Sequence, residues 1–413
     1  MILEFNMVKT MLLAIVLLYI GNGIRNRIEF LKRWCIPGPV IGGLIFSIVA
    51  AVLHIKGVVT FKFDTTLQTL FMNIFFAATG FEASIPFMRR AGKKVVIFIF
   101  LAALLAFLQN VLAVGLGPIV GVDPKLALMT GSIPLTGGHG NAGSFGPVAE
   151  AAGVTGALAV AMASATFGLI CGSIVGGPVA NWLIRRNKLD VGYDPDKIED
   201  ENLAKLMAEQ EAEASKIIEL EGERISTSFL LLFVAVGIGA FLRDVNTKIL
   251  PGVSIPIHVW GMVGGLFIRN VYDLWLGKKG KVLPTQEVEM MGNVCLSMFV
   301  SSAVMTMELW QLIDLAGPLM ILLFSQVILI VPFVILLTYR LTGKDYDSAL
   351  MVAGHIGFGL GAVPVSMANM QSVSEKYHYS KIAFFIVPVV GGLFSNFTNA
   401  AIITFFYNLV GIS

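Results

Sequence analysis

Charged residues are scarce in this chain: Lys, Arg, Asp and Glu make up 14% of 413 residues, while 56% are hydrophobic. A soluble chain carries about 25% charged residues, so this one has too little polar surface to cover a water-facing globule. The net charge of +2 lacks the excess that marks a nucleic-acid-binding face. Cysteine is rare as well. Cys35, Cys171 and Cys295 sit in or beside apolar runs, without metal-ligand spacing, and an odd count gives no disulfide framework. Catalytic motifs are missing too. No histidine opens an H-E-x-x-H motif, Tyr346-Asp347 has no G-x-G-D partner, and neither G-x-S-x-G nor a Walker A loop occurs. These absences argue against an intramembrane protease, a nucleotide-driven pump and a cofactor enzyme.

What the chain does have is apolar runs long enough to cross a bilayer, whose hydrocarbon core of about 30 Å takes about 20 helical residues. Ten are expected, at residues 8–24, 37–55, 66–84, 95–117, 154–184, 227–243, 251–270, 288–308, 316–340 and 382–411. The first lacks an A-x-A-like cleavage site and is followed by Arg25 and Arg27, so it reads as a span and not as a signal peptide. The fifth and tenth exceed one crossing and invite a tilt, or a break at Gly172, Gly176 and Gly177 and at Gly391 and Gly392.

Two further apolar stretches, 126–150 and 348–374, are too rich in glycine and proline for one continuous helix. Irregular backbone survives at membrane depth only when it is buried in protein or lines a cavity, so both read as re-entrant hairpins. With the N-terminus outside, this layout puts 23 of the 29 Lys+Arg on the inner side, as the positive-inside rule requires. Both termini are then outside. The acidic connector at 189–226, which holds 12 of the 27 Asp+Glu, is then cytoplasmic.

The connector separates an N-terminal repeat, 1–188, from a C-terminal one, 227–413. At an offset of about 222, Gly42, Gly43 and Leu44 fall on Gly264, Gly265 and Leu266, and Gly121, Asp123, Ala127, Leu128 and Met129 fall on Gly343, Asp345, Ala349, Leu350 and Met351. Each repeat holds five spans and one hairpin, and an odd count inverts the second relative to the first. The fold expected is an all-α polytopic membrane protein with about ten transmembrane helices and two re-entrant hairpins in two inverted repeats. Interrupted segments at matching places in inverted repeats point to the midplane binding site of a secondary transporter.

The chemistry at the hairpin tips is polar but uncharged. The first tip is Thr136-Gly137-Gly138-His139-Gly140-Asn141. The second runs from Gly357 through Phe358, Gly359, Leu360, Gly361 and Ala362 to Pro364. Glycine allows sharp turns and close approach of a ligand to backbone N–H groups, and a half-helix starting at a tip aims its positive dipole end into the cavity. Ser132, Ser144, Ser366 and Asn369 add side-chain oxygens. Close helix packing is the competing explanation for the glycines, and a core imidazole is the competing one for His139. Between 126 and 149, and between 348 and 374, there is no Lys, Arg, Asp or Glu. An anionic substrate would therefore rest on N–H, hydroxyl and amide groups, and a co-bound cation would lower the cost of burying it. Polar residues within spans are costly and often functional. Asn73, Thr166, Asn293, Ser297 and Asn396, with the carbonyl of Gly357, are candidate Na+ ligands on this ground, and interhelical hydrogen bonding is the alternative.

The residues also carry a resemblance. GSIPLTGGHGNAGSFGP at 131–147 and AGHIGFGLGAVPVSMANMQ at 353–371 resemble the two hairpins of the bacterial glutamate:sodium symporters (the ESS family). MASATFGLICGSIVGGPVANWL at 162–183 and MGNVCLSMFV at 291–300 are similar to further family segments. The resemblance implies uptake of L-glutamate with Na+ as coupling ion and no other cofactor, in the bacterial inner membrane. It also implies a homodimer in which a moving transport domain carries both hairpins, an elevator mechanism. On the reading of the tips above, Thr136 to Asn141 and Gly359 to Ala362 hold the substrate. The alternatives are a carrier for another small carboxylate of the citrate or malate kind, an H+-driven carrier, or a channel or receptor.

Overall fold

The computed structural model describes residues 1–33, 36–82, 84, 92–189, 222–249, 255–276, 283–311 and 316–412. Its main helices are α1 (Met7–Arg27), α2 (Gly38–Ile55), α3 (Thr66–Glu82), α4 (Lys93–Leu116), α5 (Gly138–Ala151), α6 (Ala157–Asn187), α7 (Gly222–Ile249), α8 (Ile257–Val271), α9 (Thr285–Met305), α10 (Ala316–Phe333), α11 (Tyr346–Leu360), α12 (Val363–Ser374), α13 (Lys381–Pro388) and α14 (Ser395–Val410). The chain is thus an all-α polytopic membrane protein, apart from one pair of parallel strands that the sequence did not announce. Strand β1 (Ile2–Phe5) pairs with β2 (Thr60–Phe63), Ile2 opposite Thr60, and so ties the N-terminus to the loop after α2.

Among the described residues, eight helical stretches are long and apolar enough to cross a membrane. Two of the ten expected spans are not among these eight. The helix in 66–84 has 17 residues and the one in 251–270 has 15, continued by a π turn at Tyr272–Leu276. A 17-residue helix is about 25 Å long, less than the hydrocarbon core. These two helices lie against each other, with Gly265 on the Ala77 carbonyl and Gly80 on the Met262 carbonyl so closely that no Cβ fits. Small residues let backbones meet in this way.

The long spans also correct the expected breaks. Helix α6 runs unbroken past Gly172, Gly176 and Gly177. Gly176 packs against the Asn369 amide, while its neighbour Gly177 has open space around it. The tenth span does change at its glycines: α13 passes through a π stretch, Val389–Phe394, into α14. Most of the acidic connector, residues 190–221, lies outside the described residues, and α7 starts at Gly222, ahead of the expected 227.

The helices sort into two packing units. In the first, α8 lies against α3 and α7, α9 against α2 and α3, and α1 against α2 and α9. In the second, α6 packs on α5, α11 and α12, and α4 on α10 and α14. Each unit has its own core: Ile74, Ala77, Phe81 and Leu232 in the first, and Phe98, Leu105, Ile330 and Phe358 in the second. A third apolar cluster, including Phe76, Phe145 and Phe299, fills the seam between them. Both halves of the sequence contribute to both units, the glycine-rich segments only to the second.

Candidate functional site

The first glycine-rich segment folds as short turns, Pro124–Ala127, Leu128–Thr130 and Ser132–Leu135, that stop at Thr136 and Gly137. Gly138, at φ +61, then opens α5. In the second segment α11 continues to Leu360, and the backbone breaks only at Gly361 and Ala362 before α12 begins. The second tip is therefore shorter than the sequence implied. The reason is local: Gly357 faces the backbone of Ser366 on the returning limb, where a Cβ would collide, and Ser366 Oγ donates to the Gly354 carbonyl at 2.7 Å. Glycine at 357 serves the approach of the limbs, which keeps α11 straight to Leu360.

The two breaks meet. A methyl group on Gly138 would lie 3.1 Å from the Gly361 carbonyl oxygen. Around this junction is a cavity of about 440 Å³, whose lining includes Thr136 to Asn141, Phe358 and Gly361 to Pro364 from the second unit. Leu169, Gly391, Gly392 and Asn396 complete that wall, and the opposite wall is built by Asn22, Arg25, Pro37 to Pro39, Phe75, Leu296, Ser297 and Val300 of the first unit. Helices α5 and α12 both begin on it; the first N–H groups of α5 have no partner within the helix, while in α12 Pro364 has no N–H and the Val365 N–H donates to the Ala362 carbonyl at 3.0 Å, which leaves that of Val363. Two positive dipole ends thus converge on one space.

Buried hydrogen bonds fix the tips. Gln109 of α4 is fully buried. Its Nε2 donates to the Gly359 carbonyl at 2.7 Å, and its Oε1 accepts from the Thr136 hydroxyl at 2.7 Å, so one side chain joins both segments. Gln326 of α10 donates in turn to the Gln109 carbonyl at 2.8 Å. His139 Nε2 lies 3.0 Å from Thr166 Oγ1, whose hydroxyl also donates to the Met162 carbonyl. Asn141 is 2% exposed, and its Nδ2 has no hydrogen-bond partner.

The structure brings most of the residues expected at the site to one place. Thr136, Gly137, Gly138, His139, Gly140, Asn141, Gly361, Ala362, Ser297 and Asn396 all line the cavity. Gly357, Gly359 and Leu360 do not; they belong to the α11 limb, where Gly359 packs against Leu105 and Ile330. Nor do the six Na+ candidates form one cluster. Asn73 is buried in α3 with its Oδ1 unpartnered. Thr166 reaches the cavity only through His139, and Asn293 lines an adjoining groove that shares Asn22 and Ser297 with the cavity.

A different set of oxygens gathers behind the first tip. Asn399 Nδ2 donates to the Ser132 carbonyl at 3.0 Å, and the Ser132 N–H donates to Asn110 Oδ1 at 2.8 Å. Ser132 Oγ, Asn399 Oδ1 and Ser395 Oγ, the last one turn before Asn399 in α14, are buried without partners. Buried polar atoms are nearly always paired, and an unseen ion is one reason for an exception. The sequence reading also missed Arg25, Asn22 and Gln109. Lone polar residues inside apolar runs are the only signal that marks Asn22 and Gln109.

Comparison with known proteins agrees with this picture. The chain matches the profile of the sodium/glutamate symporter family over residues 3–379. It is 36% identical to a sodium/glutamate symporter of Haemophilus influenzae over 411 residues, covering 99% of this chain and 98% of that one. The sodium/glutamate symporter of Escherichia coli K12 is 34% identical over 403 residues, 97% of each chain.

Proposed function

Since the chain belongs to the sodium/glutamate symporter family, we propose that its tip cavity binds L-glutamate and that the protein carries it across the bacterial inner membrane together with Na+. The observation that carries this reading is the convergence of two helix N-termini and an arginine on a cavity without an acidic side chain among its described lining residues. Carboxylates are held at such ends by N–H groups and by the dipole. Thr136 and Asn141 line the same wall; the Thr136 hydroxyl gives its proton to Gln109, so its oxygen is left to accept from the substrate ammonium.

For Na+ we place the ion at Ser132 Oγ, Asn399 Oδ1 and Ser395 Oγ, whose unpaired oxygens support it, with Asn396 and Ser297 at the cavity edge. Uncharged oxygens from broken segments are the usual donors for Na+ in such carriers.

The two packing units support an elevator reading, in which the second unit carries both re-entrant tips past the first. Inverted repeats, a cytoplasmic connector with both termini outside, and a homodimer belong to the same proposal. Cross-linked mass of the solubilised protein measures the dimer.

The test is radiolabelled L-glutamate uptake into proteoliposomes under an inward Na+ gradient, against a matched K+ gradient. Saturable accumulation with Na+ alone is expected, and Asn399→Leu should raise the Na+ concentration that gives half-maximal uptake. Equal uptake under both gradients would remove Na+ coupling, and no uptake under either would remove glutamate as substrate.

A further inference from the structure

Arg25 lies in the last turn of α1, where an arginine ordinarily marks the end of a span and takes its head to water. Here its side chain lines the cavity from the wall opposite the tips. It is half-buried. Its Nε is closed off from solvent and has no hydrogen-bond partner. No Asp or Glu is among the described lining residues, so no acid in that wall neutralises it. Across the cavity, Asn141 is part of the same lining, with its Nδ2 turned back against Gly137. An arginine with no acidic partner in the lining thus stands across the cavity from the start of α5.

We propose that Arg25 binds one carboxylate of the substrate while the tips hold the other, so that the complete dicarboxylate site is assembled from both packing units. This rests on the carrier reading above. A planar guanidinium pairs with a carboxylate through parallel N–H···O bonds. Arg25 adds a full positive charge to the partial charges of the helix ends, which sharpens the preference for a side-chain carboxylate over a carboxamide. The contact exists only when the two units stand as they do here. It is therefore lost once the tips move away from α1.

The experiment measures half-saturating L-glutamate for Na+-driven uptake, and its inhibition by L-glutamine, in proteoliposomes of the full chain. Arg25→Gln should raise half-saturating glutamate by about tenfold to a hundredfold, the range for a lost charge-assisted hydrogen bond. It should also narrow the preference for glutamate over glutamine by about tenfold. Arg25→Lys should retain most of that preference. Arg27→Gln, at an exposed position in the same turn, should leave both values unchanged. Glutamate saturation within twofold of the unaltered protein in Arg25→Gln, or an equal shift in Arg27→Gln, would overturn the proposal. If Arg25→Gln fails to fold, Arg25→Met, which keeps the apolar stem, is read in the same way. Absent uptake by the unaltered protein removes the carrier reading itself; normal uptake with an indifferent Arg25 removes only this inference.

Discussion

Gly138 and Gly361 touch across the junction of the two broken segments: a methyl group on Gly138 would lie 3.1 Å from the Gly361 carbonyl oxygen. Gly138 also holds φ at +61, a left-handed conformation that costs an L-residue about 1–2 kcal/mol. Gly138→Ala therefore meets both strain and crowding at the site. Initial uptake rates should fall about tenfold or more while the protein still elutes as a folded species. Gly140→Ala is the control. Its methyl would lie 3.5 Å from Phe75 Cε1 and 3.6 Å from Leu296 Cδ1, ordinary contacts, and uptake should stay within about threefold, the size of a mild substitution. Equal losses in the two variants would show that the strained turn is not what matters. Gly359 is no test of the tips, because a Cβ there would strike Leu105 and Ile330 at 2.8 and 2.9 Å and damage packing first.

Gln109 gives a second prediction. It satisfies the Gly359 carbonyl and the Thr136 hydroxyl at once, and an abandoned buried partner costs about 1–3 kcal/mol. Gln109→Leu should lower both the melting temperature in detergent and the uptake rate. Thr136→Val removes one of the groups that Gln109→Leu would strand. The double variant should then lose less than the sum of the singles, as expected for residues sharing a bond. Strict additivity would mean that the two side chains act independently.

Much of this architecture is readable in the sequence because a bilayer leaves few choices. Long apolar runs become helices, and glycine-dense runs such as 126–150 must break somewhere. Which glycine sits at the break is not readable. Gly357, Gly359 and Gly361 are alike as residues, and only the packing of Gly357 on Ser366 shows why the helix holds until Leu360. The close packing of α3 on α8 is hidden for a related reason. Their apolar composition resembles a span, and their mutual glycine contacts appear only once residues 77 and 265 are brought together. Arg25 is masked by its position, since basic residues at span ends serve the orientation of the whole protein. Gln109 is one polar residue in an apolar run, and its role lies in partners 27 and 250 positions away. The N-terminal strand Ile2–Phe5 has no partner nearby in sequence either, and pairs with Thr60–Phe63, beyond helices α1 and α2.

The elevator reading makes its own demand: the start of α5 must leave α3 and α9 during each cycle. In the present arrangement a Cβ at Gly140 would lie 3.6 Å from Leu296 Cδ1, near enough for Hg2+ to join cysteines at the two positions. The pair Gly140→Cys and Leu296→Cys should be made in a background with Cys35, Cys171 and Cys295 replaced by alanine. Each single cysteine should transport with or without mercury. The pair should transport before cross-linking, stop when Hg2+ bridges it, and recover on addition of a thiol. A rigid cavity gated only by local side chains would tolerate the bridge, because its walls need not separate. Undiminished uptake by the bridged protein would therefore sink the elevator reading and leave a fixed site between two stationary units.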